Sequence, residues 1–308
     1  MAQVSPAETP KVGLVFVSLG LTALYGVLPL LVTLYAIDRK PPPGKPTSLP
    51  SAFGFDTVKD VTLSTADGMR IAAWWLPGEP GQATIIMAHG RGSCKAALLG
   101  QATLFSALGC HVLMLDLRAH GDSQGRWVSW GRLEANDLLA AVTFVRHSQR
   151  QTCHPIVLYG FSLGAQAALH AAARHPEIAG VIAVAPGLSL RSWFDRQFKR
   201  RTGLPTPPGL YGMFALLARL RSGIAYDQTS LDLVARVAEI GRLPLLIICG
   251  ERDWMATPGD ARRLQTAAKQ AEVVVIPGAD HLGTLYDDPQ RYRQAVSRFM
   301  ARVAPRDK

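Results

Sequence analysis

The chain has 308 residues, 48% of them hydrophobic and 18% charged, with 33 Lys and Arg against 23 Asp and Glu and a formal net charge of +10 at pH 7. That apolar content excludes a disordered chain, and the length allows one or two domains with a sizeable core. The basic residues are spread over many segments without a nucleic-acid motif, so a membrane surface or an acidic substrate accounts for the charge better than DNA or RNA. Cys94, Cys110, Cys153 and Cys249 are scattered and, like the histidines, match no metal spacing, so no metal or other cofactor is expected.

Taken from the N-terminus, residues 12–37 (VGLVFVSLGLTALYGVLPLLVTLYAI) carry no charge. As a helix they would be about 39 Å long against a hydrocarbon core of about 30 Å. The run is too long for a cleaved signal's apolar region of about 7–15 residues, and it is predicted to be a retained transmembrane helix. Lys11 precedes it and Arg39, Lys40 and Lys45 follow, a bias that favours a cytoplasmic C-terminal domain. Residues 38–54, rich in Pro and Gly, read as a tether, and residues 55–308 as the globular domain.

Within that domain, residues 57–77 read as a hairpin turning at Asp67-Gly68. Strands are predicted at 83–90, 111–117, 155–160, 180–186, 244–250 and 271–278, each too uniformly apolar for a sheet covered on one face only. Helices are predicted near 95–108, 131–149, 163–175, 258–270 and 289–303. The alternation implies an α/β fold with a mostly parallel central sheet flanked by helices. Sites in such sheets lie beyond the carboxyl ends of the strands, which directs attention to residues just after each apolar run.

Two pentapeptides match Gly-x-Ser-x-Gly, one around Ser162 and one around Ser123. Gly160-Phe161-Ser162-Leu163-Gly164 sits between an apolar run and a helical pattern, the strand-turn-helix setting that exposes a strained serine hydroxyl above a sheet. Gly121-Asp122-Ser123-Gln124-Gly125 is followed by no helical spacing, so Ser123 reads as a polar turn residue. A serine needs an imidazole to take its proton, and the imidazole needs an acid to orient it. His281 directly follows the last predicted strand, and Asp253 follows the strand before it, with Asp280 and Glu251 as alternative acids. His147, His170 and His175 fall on helices, and His111 and His154 precede strands. Backbone amides of Leu163 and of Arg91, in the turn His89-Gly90-Arg91-Gly92-Ser93, are the candidate oxyanion donors, with His89 holding that loop.

The blocks MAHGRGS (87–93), LDLRAHGDSQG (115–125), Glu134 with Asp137, YGFSLGAQAAL (159–169), LPLLIICGERDWMATP (243–258) and GADHL (278–282) resemble successive motifs of the α/β-hydrolase superfamily. Within it the chain is similar to the membrane-anchored, serine-aminopeptidase-like group, which also resembles monoacylglycerol lipases. The resemblance covers about residues 57–303 and implies an α/β-hydrolase fold, Ser162 as nucleophile, Asp253 as acid, His281 as base, and the Arg91 and Leu163 amides as oxyanion donors. Trp254-Met255 departs from the smaller or polar pair more common in relatives, which bears on pocket shape.

Residues 187–240 exceed a single crossover and are predicted to form a lid. Its first part, LRSWFDRQFKRR, fits either an interfacial membrane contact or a solvated basic helix whose rings pack on the body. Trp193, Phe194, Phe214 and Trp254 are the candidate substrate-binding residues. The expected function is a membrane-tethered serine hydrolase of esters or thioesters, with lipid-like or small acyl substrates and membrane lipid as partners. A peptidase of the same fold and a non-catalytic anchored binding module are the alternatives.

Overall fold

The computed structural model describes residues 18–38, 49–148, 154–226 and 231–304. Residues 12–17 of the expected span, the tether over 39–48, Lys11, Cys153 and the basic residues Arg39, Lys40 and Lys45 lie outside them.

Eight strands form one sheet: β1 (Lys59–Ser64), β2 (Arg70–Leu76), β3 (Thr84–Ala88), β4 (His111–Leu115), β5 (Ile156–Phe161), β6 (Ile178–Val184), β7 (Leu245–Gly250) and β8 (Glu272–Ile276). They lie in the order β1-β2-β4-β3-β5-β6-β7-β8. β1 and β2 form the expected hairpin, β2 runs antiparallel to β4, and every later pairing is parallel. The residues of β3, β4 and β7 are buried throughout, as a sheet covered on both faces requires.

That cover comes from α2 (Leu99–Ser106), α3 (Glu134–Ser148), α4 (Leu163–Ala172), α8 (Pro258–Ala267) and α9 (Pro289–Val303), with two buried clusters on opposite faces. Of the predicted helices, 95–108 divides into a 3₁₀ turn, Lys95–Leu98, and α2. The strand order reverses between β3 and β5, whose chains leave in opposite directions along the sheet, so a crevice opens where their carboxyl ends diverge.

The segment β4 to α3 is held by buried charge. Arg118 donates to Asp137 at 2.7 Å and to Asp67 at 2.6 Å, while Glu134 accepts from the Gly131 amide at 2.9 Å and from the Ser129 hydroxyl. Ser123 belongs to this brace: its hydroxyl donates to the Asp116 carbonyl at 2.6 Å and accepts from the Ala72 amide at 2.8 Å.

Between β6 and β7 lie α5 (Leu190–Thr202), α6 (Leu210–Ser222) and α7 (Leu233–Glu239). α5 turns Trp193 and Phe194 inward, leaving Lys199, Arg200 and Arg201 exposed, so its rings pack on the body. On α6, residues 210, 211, 214 and 218 share one face, and Phe214 is fully buried between Phe194 and Tyr211 at ring distances of 5.1 and 5.7 Å.

The N-terminal helix α1 (Ser18–Ile37) is long and apolar enough to cross a membrane, and its two halves differ. A π-helical turn, Ala23–Val27, divides them, with the Leu28 amide donating five residues back to the Ala23 carbonyl. Pro29 accounts for it: without an N–H, and with a ring that crowds the preceding turn, proline favours a locally widened helix. Beyond it, Pro29, Thr33, Ala36 and Ile37 are buried against α6 and the body, and burying Ile37 alone is worth about 2 kcal/mol. The docked end is pinned by the Val128 amide to the Ile37 carbonyl at 2.7 Å and by a two-point Arg221–Asp38 ion pair at 2.9 and 2.8 Å. At the other end of the expected tether, Pro50–Phe53 forms a 3₁₀ turn with Phe53 packed beside the core, so the globular body starts at about residue 50.

Candidate active site

Ser162 caps α4 at the carboxyl end of β5 with φ 52° and ψ −110°, a conformation that costs a non-glycine residue on the order of 1–3 kcal/mol. The corner is possible because the residues two positions to either side of Ser162, Gly160 and Gly164, lack side chains. A β-carbon on Gly160 would stand 2.2 Å from the Gly164 carbonyl oxygen, and one on Gly164 would stand 2.1 Å from the Ala88 oxygen of β3. These contacts draw the start of α4 against the end of β3 and hold Ser162 over the crevice.

His281 follows β8 and Asp253 follows β7, and the two loops are stitched together by backbone bonds, Glu251 amide to Ile276 carbonyl at 2.9 Å and Arg252 amide to Ala279 carbonyl at 2.8 Å. The imidazole lies between the acid and the serine, with Nδ1 at 2.7 Å from Asp253 Oδ2 and Nε2 at 3.1 Å from Ser162 Oγ. A carboxylate can only accept, so Nδ1 carries the proton and Nε2 accepts from the Ser162 hydroxyl. Asp253, 2% exposed, also accepts from the Met255 and Ala256 amides at 2.8 and 2.9 Å. The alternative acids are engaged elsewhere: Asp280 accepts from the Leu282 and Gly283 amides, and Glu251 from the Gly278 amide. The helix after Pro258 is capped by Thr257 with Asp260, which leaves Asp253 to the imidazole.

A cavity of about 490 Å³ opens above Ser162, and both Arg91 and Leu163 line it. The loop after β3 comes so near that a β-carbon on Gly90 would be 2.9 Å from the Phe161 ring and 3.5 Å from the Ser162 β-carbon. His89 holds this loop. Its Nδ1–H donates to the Gly90 carbonyl at 2.7 Å, and its Nε2 accepts from the Leu117 amide at 3.1 Å. Burial pushes the His89 pKa down to about 4, with the neighbouring His120 adding to the shift, so the ring stays neutral and keeps its acceptor.

Of the other expected contacts, Trp193 lines the cavity. Trp254 does not: the turn that offers the Met255 and Ala256 amides to Asp253 brings Met255 to the cavity, while the Trp254 ring lies 4.7 Å under the Arg200 guanidinium. Phe214 is core, as its place on the inner face of α6 dictates. Phe194 lines a neighbouring groove.

Tyr35 is among the cavity residues that the sequence alone does not single out. It sits on α1 within the expected membrane span, yet it lines the cavity. The Arg91 guanidinium lies 4.6 Å from the Tyr35 ring and 5.6 Å from each of the Trp130 and Trp193 rings, and donates to the Tyr35 carbonyl at 3.2 Å. An aromatic cage around a cation of this kind stabilises by about 0.5–2 kcal/mol per contact. The single tyrosine near the end of an apolar run was the only signal available. Among the described residues, no group of three or more His, Cys, Asp or Glu side chains is placed to hold a metal ion.

The strand order and the serine corner are those of one family, and its profile, described as the alpha/beta hydrolase family, matches residues 85–295. The chain belongs to the alpha/beta hydrolase family. Among its relatives, the uncharacterized protein Rv2307c of Mycobacterium tuberculosis is 27% identical over 274 residues, covering 88% of this chain and 87% of that one. The crystal structure of the esterase Pf2001 of Pyrococcus furiosus superposes with a TM-score of 0.71 at 26% identity, covering 86% of this chain and 98% of that one. A bacterial membrane phospholipase A structure gives 0.60 at 19% identity, over 95% of this chain and 98% of that one, a likeness of fold.

Proposed function

We propose that this hydrolase is a membrane-tethered serine esterase, cleaving carboxylic esters or thioesters of lipid-like or small acyl substrates through an acyl-serine intermediate. The observation that carries the reading is the continuous hydrogen-bonded series Asp253–His281–Ser162 under an open cavity, with Ser162 in a positive-φ corner. The likeness to an archaeal esterase at 26% identity supports the ester class, and the apolar helix α1 supports the tether.

In this reading His281 Nε2 removes the Ser162 proton as Oγ attacks the acyl carbon. Asp253 holds the ring and stabilises its cationic form, and the Arg91 and Leu163 amides receive the negative charge on the carbonyl oxygen. His281 then gives the proton to the departing alcohol or thiol. A water, deprotonated by the same nitrogen, cleaves the acyl-serine and restores the hydroxyl.

The test is hydrolysis of p-nitrophenyl esters of increasing chain length beside aminoacyl amides. Ester turnover that vanishes in Ser162→Ala is expected, whereas turnover of amides alone would move the assignment to a peptidase.

A further inference from the structure

A second cavity of about 290 Å³ adjoins the one over Ser162, running between α1 and α5. Leu28, Leu31, Val32 and Tyr35 form one wall, and Trp193, Phe194 and Phe198 face them from α5. Tyr35, Trp193 and Gln197 line both cavities, so the two spaces share a boundary next to the reaction centre. Backwards along the helix from Tyr35, Val32 is about 4.5 Å and Leu28 about 10.5 Å further away, at 1.5 Å per residue. The groove therefore leads from the Ser162 cavity towards the N-terminal half of α1. That half, with the outer face of the docked half, exposes a run of large apolar side chains, among them Leu21 at 52%, Val27 at 51% and Leu31 at 57%. At about 30 Å³ for a group of water or methylene size, the groove holds roughly ten such groups.

We infer that this groove is the acyl-chain subsite of the enzyme, receiving one fatty acyl chain of an ester lipid, and that the helix proposed to anchor the protein is itself one of its walls. The inference rests on the ester-hydrolase reading of Ser162 and adds the ligand and its location. Three features fit a single alkyl chain. The lining is mainly aliphatic and aromatic, with Gln197, Arg201 and Thr202 the polar members, which disfavours a polar leaving group. The groove is lined from two sides, by Leu28, Leu31, Val32 and Tyr35 of α1 and by Trp193, Phe194 and Phe198 of α5, and its volume of about 290 Å³ is of the size of one alkyl chain. The inner end meets the cavity in which the scissile carbonyl would lie against Ser162, so a chain filling the groove would have its ester at the serine. The outer end is rimmed by the exposed Arg201, placed for an anionic membrane surface where the chain would enter.

Filling the groove at two depths makes it a ruler. The experiment measures kcat/KM of the full-length protein in detergent micelles on p-nitrophenyl esters from acetate to palmitate, normalised to the fraction of protein labelled by a fluorophosphonate. Val32→Trp, near the reaction centre, is expected to lower the ratio of long-ester to short-ester kcat/KM by about 10–100-fold, the effect of excluding about two or three methylenes. Leu28→Trp, further out, is expected to lower it only for the longest esters. A ratio unchanged in both variants, or long and short esters falling together, overturns the proposal. A lipid that fills the groove without being substrate would give that unchanged ratio.

A second arm does not depend on turnover. cis-Parinaric acid is titrated into the Ser162→Ala protein, and its binding should weaken about tenfold or more when Val32→Trp is added. Equal binding with and without Val32→Trp overturns the subsite. If the wild-type protein hydrolyses no ester at all, the esterase reading fails, and this titration still decides whether the groove takes an acyl chain.

Discussion

The floor of the cavity is made by backbone. β3, β5, β6, β7 and β8 lie side by side, Gly160 and Gly164 let α4 close on β3, and amide-to-carbonyl bonds lock the Asp253 and His281 loops together. Its roof is made by side chains from distant segments: Tyr35 of α1, Trp130 of the β4–α3 segment, Trp193 of α5, with Arg91 among their rings. A floor of this kind fixes atoms to within the tolerance of backbone hydrogen bonding, which a triad needs. A roof of stacked rings and one guanidinium can shift when a single element moves, as substrate entry needs. The contrast separates the residues proposed to set the reaction type, in the floor, from those proposed to set substrate choice, in the roof.

The largest expected effect is on the floor. Asp253→Asn keeps the shape but presents the imidazole with an amide in place of a carboxylate, and kcat is expected to fall by about a thousandfold or more while circular dichroism stays native. A loss of less than about tenfold would move the acid elsewhere and dissolve the distinction between a rigid floor and an adaptable roof.

The roof is addressed by truncation at two points. Removing residues 2–27 takes away the N-terminal half of α1, with the Tyr25 hydroxyl's bond to the Pro208 carbonyl, and leaves Tyr35, Arg91 and Asp38 in place. The protein is expected to move to the soluble fraction with short-ester kcat largely retained. Removing residues 2–38 also strips the cover from α6 and the cage from Arg91, and lower thermal stability with lower activity is expected. Equal behaviour of the two truncations in a thermal melt and an esterase assay would show that the docked half contributes nothing to the roof.

A smaller effect comes from acid. His89, held near pKa 4 by burial, stays neutral while the unfolded chain takes up a proton below about pH 6.5, so the folded state loses stability as pH falls through that window. The loss approaches about 3 kcal/mol near pH 4, or roughly 6–12 °C in Tm, and the similarly lowered His120 and His170 act in the same direction. Melting curves from pH 7.5 to 4.5 check it, and a flat Tm would mean that His89, which holds the loop after β3, is not desolvated.

The floor was readable from the amino-acid sequence because each of its parts is local. Uniformly apolar runs mark strands, and Ser162, Asp253 and His281 each follow one within a few residues. Ser123 was separable from Ser162 by the same rule, and its bonds to Asp116 and Ala72 give it a bracing role. The roof was not readable, because helical periodicity tells which residues share a face and not what covers that face. Phe214 illustrates this: the spacing of Leu210, Phe214 and Ala218 marks an inner stripe, yet only the packing of α6 on Phe194 and α1 turns that stripe into core. Tyr35 illustrates the reverse. An apolar run long enough for a membrane hides a residue that contacts Arg91 in the loop after β3, and only the tertiary docking past Pro29 reveals it.

Active-site labelling tests the central claim most directly. The purified full-length protein is treated with a fluorophosphonate probe and digested, and the modified peptide is identified by mass spectrometry. Stoichiometric phosphonylation at Ser162, abolished in Ser162→Ala and preserved in Ser123→Ala, is the predicted result. Absence of labelling at Ser162 in folded protein, or labelling at Ser123 in its place, would contradict a serine hydrolase built on the Asp253–His281–Ser162 series.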